Sequence, residues 1–318
     1  MRGYLQFRSP SPSVSGIGRD RRVTVTAHGN MMLMPARPGV TVVVPTRNSA
    51  RTVEACLRSI KAQSVPVTVV VVDNGSSDGT AHLTGEMADL VLEAGPERSA
   101  QRNLGAHARP APIVGFIDSD MILAPDVVEQ SVVALEAPSG TVPGGNPAAV
   151  VVPERTIGEG YWSQVRAFER SFYVGSDDVE AARFYRWDVF ESLGGFDEGL
   201  TGCEDWDLTI RARQLGPVVR IEAMIDHDEG QVRYFDACRK KGYYAEGLRR
   251  FTLKHGAGTM GKAAFDRPYL HKPRALLNPL GAGLVALKAG ELVSVATTIA
   301  AKQLSAWRAS RPASGDRP

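Results

Sequence analysis

The residues of this 318-residue chain that could do chemistry fall in five short clusters. The first is Ile117-Asp118-Ser119-Asp120, which follows an apolar run. Residues i and i+2 of an extended chain point the same way. Both carboxylates could then approach one divalent cation, which takes hard oxygen ligands, and such a cation could neutralise a leaving diphosphate. The same spacing also suits a plain capped turn. The second cluster pairs Pro45-Thr46-Arg47-Asn48 with Asp73-Asn74-Gly75-Ser76-Ser77-Asp78-Gly79-Thr80. Neither is a glycine-rich dinucleotide loop or a lysine-containing P-loop. The acidic turn repels phosphate but can accept hydrogen bonds from a base or ribose; it equally makes an Asx turn and helix cap.

The third cluster is Arg98-Ser99-Ala100-Gln101-Arg102-Asn103. Its two arginines are i, i+4 and share a helix face, an arrangement suited to an anion or to ordinary surface exposure. The fourth is Gly194-Gly195-Phe196-Asp197-Glu198 followed by Cys203-Glu204-Asp205-Trp206-Asp207. Acids in a first turn favour the helix dipole, or one of them is a general base, with Trp206 as an apolar wall that raises a carboxylate's pKa. The fifth is Asp226-His227-Asp228-Glu229, in which His227 is a third metal ligand or a satisfied structural histidine.

The elements that must position these residues alternate. Val40–Val44, Val67–Val72, Leu90–Leu92 and Ile113–Ile117 read as buried strands. Helices are expected from about Asn48 to Ile60, over Ser99–Ala108 and over Asp126–Leu135. Strands alternating with helices give a mainly parallel sheet, with ligands at the carboxyl ends of its strands. In the second half, Val150–Val152 and Val218–Ile225 are expected strands; Thr156–Phe172 and Cys203–Leu215 are expected helices. Residues 231–254 read as basic helix and 270–305 as helix-rich.

Hydrophobic residues make up 43% and charged residues 23%, which excludes wholesale disorder, collagen and small disulfide scaffolds. Three separated cysteines without a Cys-x-x-Cys pair argue against a zinc module and for a reducing, cytoplasmic compartment. Charge is segregated. Residues 1–39 carry six arginines against one acid, 40–230 carry fifteen basic against twenty-nine acidic residues, and 231–318 carry sixteen against five. Residues 1–38 lack any apolar period and read as a disordered extension, with Met31, Met32 or Met34 as the true start. Residues 306–318 read as a disordered tail. The uncharged run Ala275–Leu287 is short for a bilayer span. With Lys288, Glu291, Thr298 and Lys302 on one helical face and Val285, Leu292 and Ile299 on another, 231–305 is expected to lie in the plane of an anionic membrane, at the inner face of the plasma membrane; the same pattern suits a helix packed on the catalytic body or a dimer partner. No nucleic-acid motif accompanies the basic ends.

The order of the motifs VVVPTRNSARTVEACLRSI, VVDNGSSDGT, ERSAQRNLGA, IVGFIDSDMIL and FESLGGFDEGLTGCEDWDLTIRARQLG resembles glycosyltransferase family 2 over about residues 40–230. The resemblance implies a GT-A fold over 39–230 (Rossmann-like α/β, mainly parallel sheet with flanking helices), followed by the helical region. It implies an inverting transferase using a nucleotide-sugar, with UDP favoured, and Mg²⁺ or Mn²⁺. By motif, Pro45, Arg47, Asp73, Arg102 and Asp118 would bind the nucleotide, and Asp120, Asp118 and His227 the metal. Asp205 would be the base beside Glu204. A glycan or lipid-linked acceptor is the expected partner. A nucleotidyltransferase would need a glycine-rich loop and lysine where Pro45-Thr46-Arg47-Asn48 stands. A non-catalytic scaffold would have lost the acids that are present.

Overall fold

β-Branched runs build the centre of the molecule. Val42–Val44 and Val69–Val72 are fully buried, as strands covered on both faces must be. The computed structural model describes residues 25–26, 39–137, 142–177, 179–265 and 267–309. The elements follow in chain order: β1 (Val25–Thr26), β2 (Val40–Thr46), α1 (Val53–Lys61), β3 (Thr68–Asp73), α2 (Thr80–Met87), β4 (Leu90–Glu93), α3 (Arg98–Ala108), β5 (Ile113–Phe116), β6 (Met121–Leu123) and α4 (Val127–Leu135). Then come β7 (Ala149–Val151), β8 (Glu154–Glu159), α5 (Tyr161–Ser171), β9 (Ala182–Arg186), α6 (Trp187–Ser192), α7 (Glu204–Ala212), β10 (Val218–Arg220) and β11 (Ile225–Gln231). The chain closes with α8 (Tyr234–Tyr243), α9 (Ala245–Phe265, interrupted at Gly256) and α10 (Pro279–Ala309).

The large sheet has the order β1-β4-β3-β2-β5-β9-β7-β10. Its middle, β4-β3-β2-β5, is parallel, and β9 enters antiparallel between β5 and β7. The sheet is therefore mixed, with antiparallel pairs at β1-β4 and on both sides of β9, but mainly parallel, as expected. Register sets Thr46 beside Asp73 and Asp73 beside Glu93. The carboxyl ends of these strands thus share one edge. One apolar cluster, with Leu57, Ile60 and Ile117, packs on one face of the sheet; another, with Phe116, Tyr185 and Phe190, packs on the other. A small sheet, β6-β11-β8, lies beside this edge. It sets His227 opposite Met121 and Thr156.

Three expectations are corrected. Glu154–Glu159 is a strand, where helix was expected from Thr156. Its backbone pairs along β11, and Gly160 at φ +83 turns the chain into α5. The single strand expected over Val218–Ile225 is two strands in two sheets, β10 and β11. Between them Ile221 and Ala223 turn into the core. The strand before Asp118 ends at Phe116, and Met121 N donates to Asp118 O at 3.0 Å. Asp118-Ser119-Asp120 is therefore a turn, and the extended-chain argument for two parallel carboxylates does not hold. Of the extension 1–38, only Val25–Thr26 is described, and it pairs antiparallel with β4. Helix α10 runs to Ala309, past the boundary expected at 305; residues 310–318 lie outside the described residues.

Candidate functional site

Helix α3 crosses the carboxyl edge of the sheet, and one buried side chain fastens it there. Gln101 Nε2 donates to Thr46 O at 3.2 Å and to Val72 O at 2.7 Å. The next residue, Arg102, is 1% exposed. Its Nη2 donates to Asp118 Oδ1 at 2.6 Å and its Nη1 to Glu204 Oε1 at 3.0 Å. Its guanidinium lies 5.1 Å from the Phe196 ring centroid, a cation–π distance. Arg98, one helical turn earlier, reaches the same Glu204 oxygen at 3.2 Å.

Asp118 is gripped from a second side. Arg183 Nη1, on β9, is 3.6 Å from Asp118 Oδ2. Burial alone would raise the Asp118 carboxyl, but Arg102 and Arg183 outweigh it and hold the group well below the ordinary carboxylate range. Arg183 Nε also donates to Glu154 Oε1 at 2.9 Å. Glu154 Oε2 accepts from Arg170 Nη1 at 3.0 Å and lies 3.2 Å from His227 Nδ1. His227 Nε2 in turn faces Asp120 Oδ2 at 3.4 Å. Burial would lower the His227 pKa, but the bonds to Asp120 and Glu154 hold it up at about 9.

The acidic pair splits into two roles. Glu204 is buried and occupied by Arg98 and Arg102. Asp205 is half-buried, and burial, then Glu204 beside it, raises its carboxyl. Trp206 N donates to Asp205 Oδ1 at 2.9 Å. The Trp206 indole is anchored by its own Nε1 to Val179 O at 2.8 Å. The chain enters this helix through Cys203 at φ 62, a left-handed conformation that costs a non-glycine residue energy.

The nucleoside-side candidates are placed differently from one another. Pro45 is buried in β2 opposite Val72, and Arg47 is exposed at the rim. Asp73 is buried and already accepts from Thr46 Oγ1 at 2.7 Å, from Ser76 Oγ at 2.6 Å and from Ser76 N at 2.8 Å. Its carboxylate shapes the acidic turn. Asp78 accepts from Ala50 N at 3.0 Å and Thr80 Oγ1 at 2.6 Å, which locks that turn to the loop after β2.

Arg102, Asp118 and Glu204 therefore come together directly; Asp120 and His227 meet at the small sheet. The two groups are joined by Arg183 and Glu154, which the motifs did not reveal. Arg183 and Glu154 are 29 positions apart and carry no local pattern. No sequence signal marks Arg183: it is one of two arginines in the strand ARFYR, and only the fold shows that it is buried. Among the described residues no set of three or more His, Cys, Asp and Glu closes a metal cage. The Asp120 and His227 donors fit a divalent ion that takes its other ligands from water and phosphate, as Mg²⁺ and Mn²⁺ do.

The model of the family described as glycosyl transferase family 2 matches residues 41–194. Glycosyltransferase AglE of Haloferax volcanii is 27% identical over 190 residues, covering 56% of this chain and 62% of its own. Pre-mycofactocin glycosyltransferase of Mycobacterium tuberculosis is 28% identical over 263 residues, covering 72% of this chain and 51% of its own. The chain thus spans between about half and three-fifths of the length of these curated relatives. Among solved structures, the mannosyltransferase PcManGT from Pyrobaculum calidifontis, in complex with GDP-Man and Mn²⁺, superposes with a TM-score of 0.51 at 20% identity, over 87% of this chain and 81% of its own. The fold is GT-A.

Proposed function

Starting from the membership of residues 41–194 in glycosyltransferase family 2, we propose that this chain transfers a sugar from a nucleotide-sugar to an acceptor hydroxyl with inversion. The observation that carries the reading is the convergence of Arg102 and Arg183 on Asp118, with Glu204 and Asp205 alongside, at the carboxyl edge of the parallel strands. That edge is where ligands sit in open α/β sheets.

The residues then have the following parts. Pro45, Arg47 and Asp73 border the nucleoside, with Asp73 acting through the turn it organises. Asp118 meets the ribose or sugar, and Arg102 and Arg183 keep it ionised and oriented. Asp205 accepts the proton of the acceptor hydroxyl as that oxygen attacks the anomeric carbon. Its raised carboxyl makes it a stronger base than an ordinary aspartate, while Glu204 is ion-paired to Arg98 and Arg102. Asp120 and His227 would hold Mg²⁺ or Mn²⁺, with Asp118 nearby; when bound, the cation supplies positive charge to the diphosphate oxygens. UDP is the nucleotide that the family resemblance favours, and the GDP-Man and Mn²⁺ bound by PcManGT support a nucleoside diphosphate and a divalent ion as a class. The acceptor is a glycan or a lipid-linked hydroxyl. The chain works in the cytoplasm, in peripheral contact with the inner face of the plasma membrane.

The test is release of nucleoside diphosphate from a panel of nucleotide-sugars with Mn²⁺. Release from one donor, lost in Asp205→Asn, is expected. Tight donor binding with no release in any acceptor mixture would turn the reading to a sugar-nucleotide-binding scaffold.

A further inference from the structure

Helix α10 buries Leu284 and Leu287 against α5 and α8 and buries charge beside them. Two of its charged residues, Lys288 and Glu291, face the protein. Lys288 Nζ lies 2.6 Å from Glu169 Oε1 and 2.8 Å from Glu291 Oε2. Arg166 Nη1, on α5, is 2.9 Å from Glu169 Oε2 and 4.0 Å from Glu291 Oε1. Glycines let the helix approach this closely. A methyl group at Gly283 would fall 2.4 Å from the Tyr161 hydroxyl, and one at Gly290 would fall 2.2 Å from the Tyr234 hydroxyl. These contacts with α5 and α8 fix the rotation of α10.

The outer face follows from that rotation. Val285, Leu292 and Val293 are 59%, 63% and 63% exposed, and Leu304 and Trp307 are also exposed. The spacing of 285, 292/293 and 304/307 keeps them along one side of the helix. An exposed apolar face of this extent marks an interaction surface. By length and composition, Pro279–Ser305 could cross a membrane. Its inner face is ion-paired to α5 and packs Leu284 and Leu287 on the body, so the helix lies along the body with a second apolar side outward.

Charge identifies the occupant. Among the described residues, ten of the fourteen exposed large hydrophobics lie at or beyond Phe235. The same segment, 231–318, carries sixteen basic against five acidic residues. Arg239 of α8 is 80% exposed, and Lys240 and Lys302 are exposed as well. Apolar groups flanked by cations complement an anionic bilayer interface. A second copy would bring the same positive charge against itself. We propose that the outer face of α10, with the basic residues of α8, docks on a bilayer rich in anionic phospholipid. This deepens the peripheral placement given under the proposed function and rests on it. Ion pairs continue inward from the docked helix: Glu169 to Arg166, Arg166 to Glu229, and Arg170 to Glu229 and Glu154. Docking therefore holds the small sheet, with His227, in a fixed relation to the membrane.

The test is co-sedimentation of the full chain with vesicles of phosphatidylcholine, with and without phosphatidylglycerol. Binding is expected on the phosphatidylglycerol vesicles. Charge removal in Arg239→Gln with Lys240→Gln should weaken it roughly fivefold per charge. Leu292→Glu with Val293→Glu should weaken it by on the order of tenfold or more. Both pairs are exposed, and a nucleotide-induced rise in Tm equal to the parent's would show the site intact. Absence of binding, or equal binding to both vesicles, would overturn the proposal. So would a dimer in light scattering that the Leu292→Glu change dissociates. Lipid binding without any nucleotide response would count against the transferase reading alone.

Discussion

Arg102 holds Asp118 at 2.6 Å through one terminal nitrogen of its guanidinium, and its other terminal nitrogen holds Glu204 at 3.0 Å. The acidic turn after β5 and the acidic start of α7 are thus joined through one buried cation. Replacing Arg102 by Ala would leave two carboxylates facing each other with a lost partner. Breaking a buried pair in this way costs about 3–5 kcal/mol. Urea unfolding should show that loss, whereas Arg98→Ala, at a partly exposed position, should cost about 1 kcal/mol or less.

Asp205 is expected to divide binding from turnover. Asp205→Asn should lower turnover by about 10²–10⁴-fold, the range of general base catalysis, with nucleotide affinity unchanged. Burial and Glu204 raise the Asp205 carboxyl. A general base acts in its ionised form, so with Asp205 in that role activity should rise with pH through a midpoint above that of an ordinary aspartate. A Glu204→Gln variant removes the neighbouring charge and should move that midpoint down. An acid limb unmoved by the substitution would contradict the assignment.

Acid stability follows from the network under α10. Burial would raise Glu169 and Glu229, but Arg166, with Lys288 or Arg170, holds each at about 2. An unfolded glutamate titrates near 4.3, so between these values the unfolded chain binds more protons than the folded one. The stabilisation is full above about pH 4.3 and is lost as pH falls toward 2. Stability measured by urea at stepped pH should fall through that window, and Glu169→Gln should flatten the fall.

Metal dependence should belong to Asp120 and His227. Asp120→Ala, or His227→Ala, should abolish the difference that Mn²⁺ makes to nucleotide binding. Nucleotide binding in the absence of Mn²⁺ should be much less affected. Isothermal titration in the presence and absence of the ion checks this.

The parts of the site that were legible in the sequence are those held by local pattern. Asp118 sits where an apolar strand stops, Arg102 on a helix opening at Arg98, and Glu204-Asp205 at a helix start after a double-glycine turn. Arg183 and Glu154 were not legible because their bond joins two strands 29 positions apart. Hydrophobic period does not encode ion pairs between elements. Strand β8 read as helix because ERTIGE has no alternating apolar residues; its partner β11 supplies what the pattern lacks. The polar and apolar faces of α10 were legible, but which face turns inward was not. That depends on Glu169 and Arg166 of α5, which pair with Lys288 and Glu291.

The transferase reading turns on whether the group of residues around Asp118 binds a nucleoside diphosphate together with a divalent ion. Thermal unfolding of the purified chain with UDP, GDP, CMP and dTDP, each with and without Mn²⁺, tests it most directly, because a ligand that binds only the folded state raises Tm by mass action. A rise is expected for one nucleoside diphosphate; it should depend on Mn²⁺ and disappear in Asp120→Ala. No rise with any nucleotide, in a sample that unfolds cooperatively, would contradict that reading.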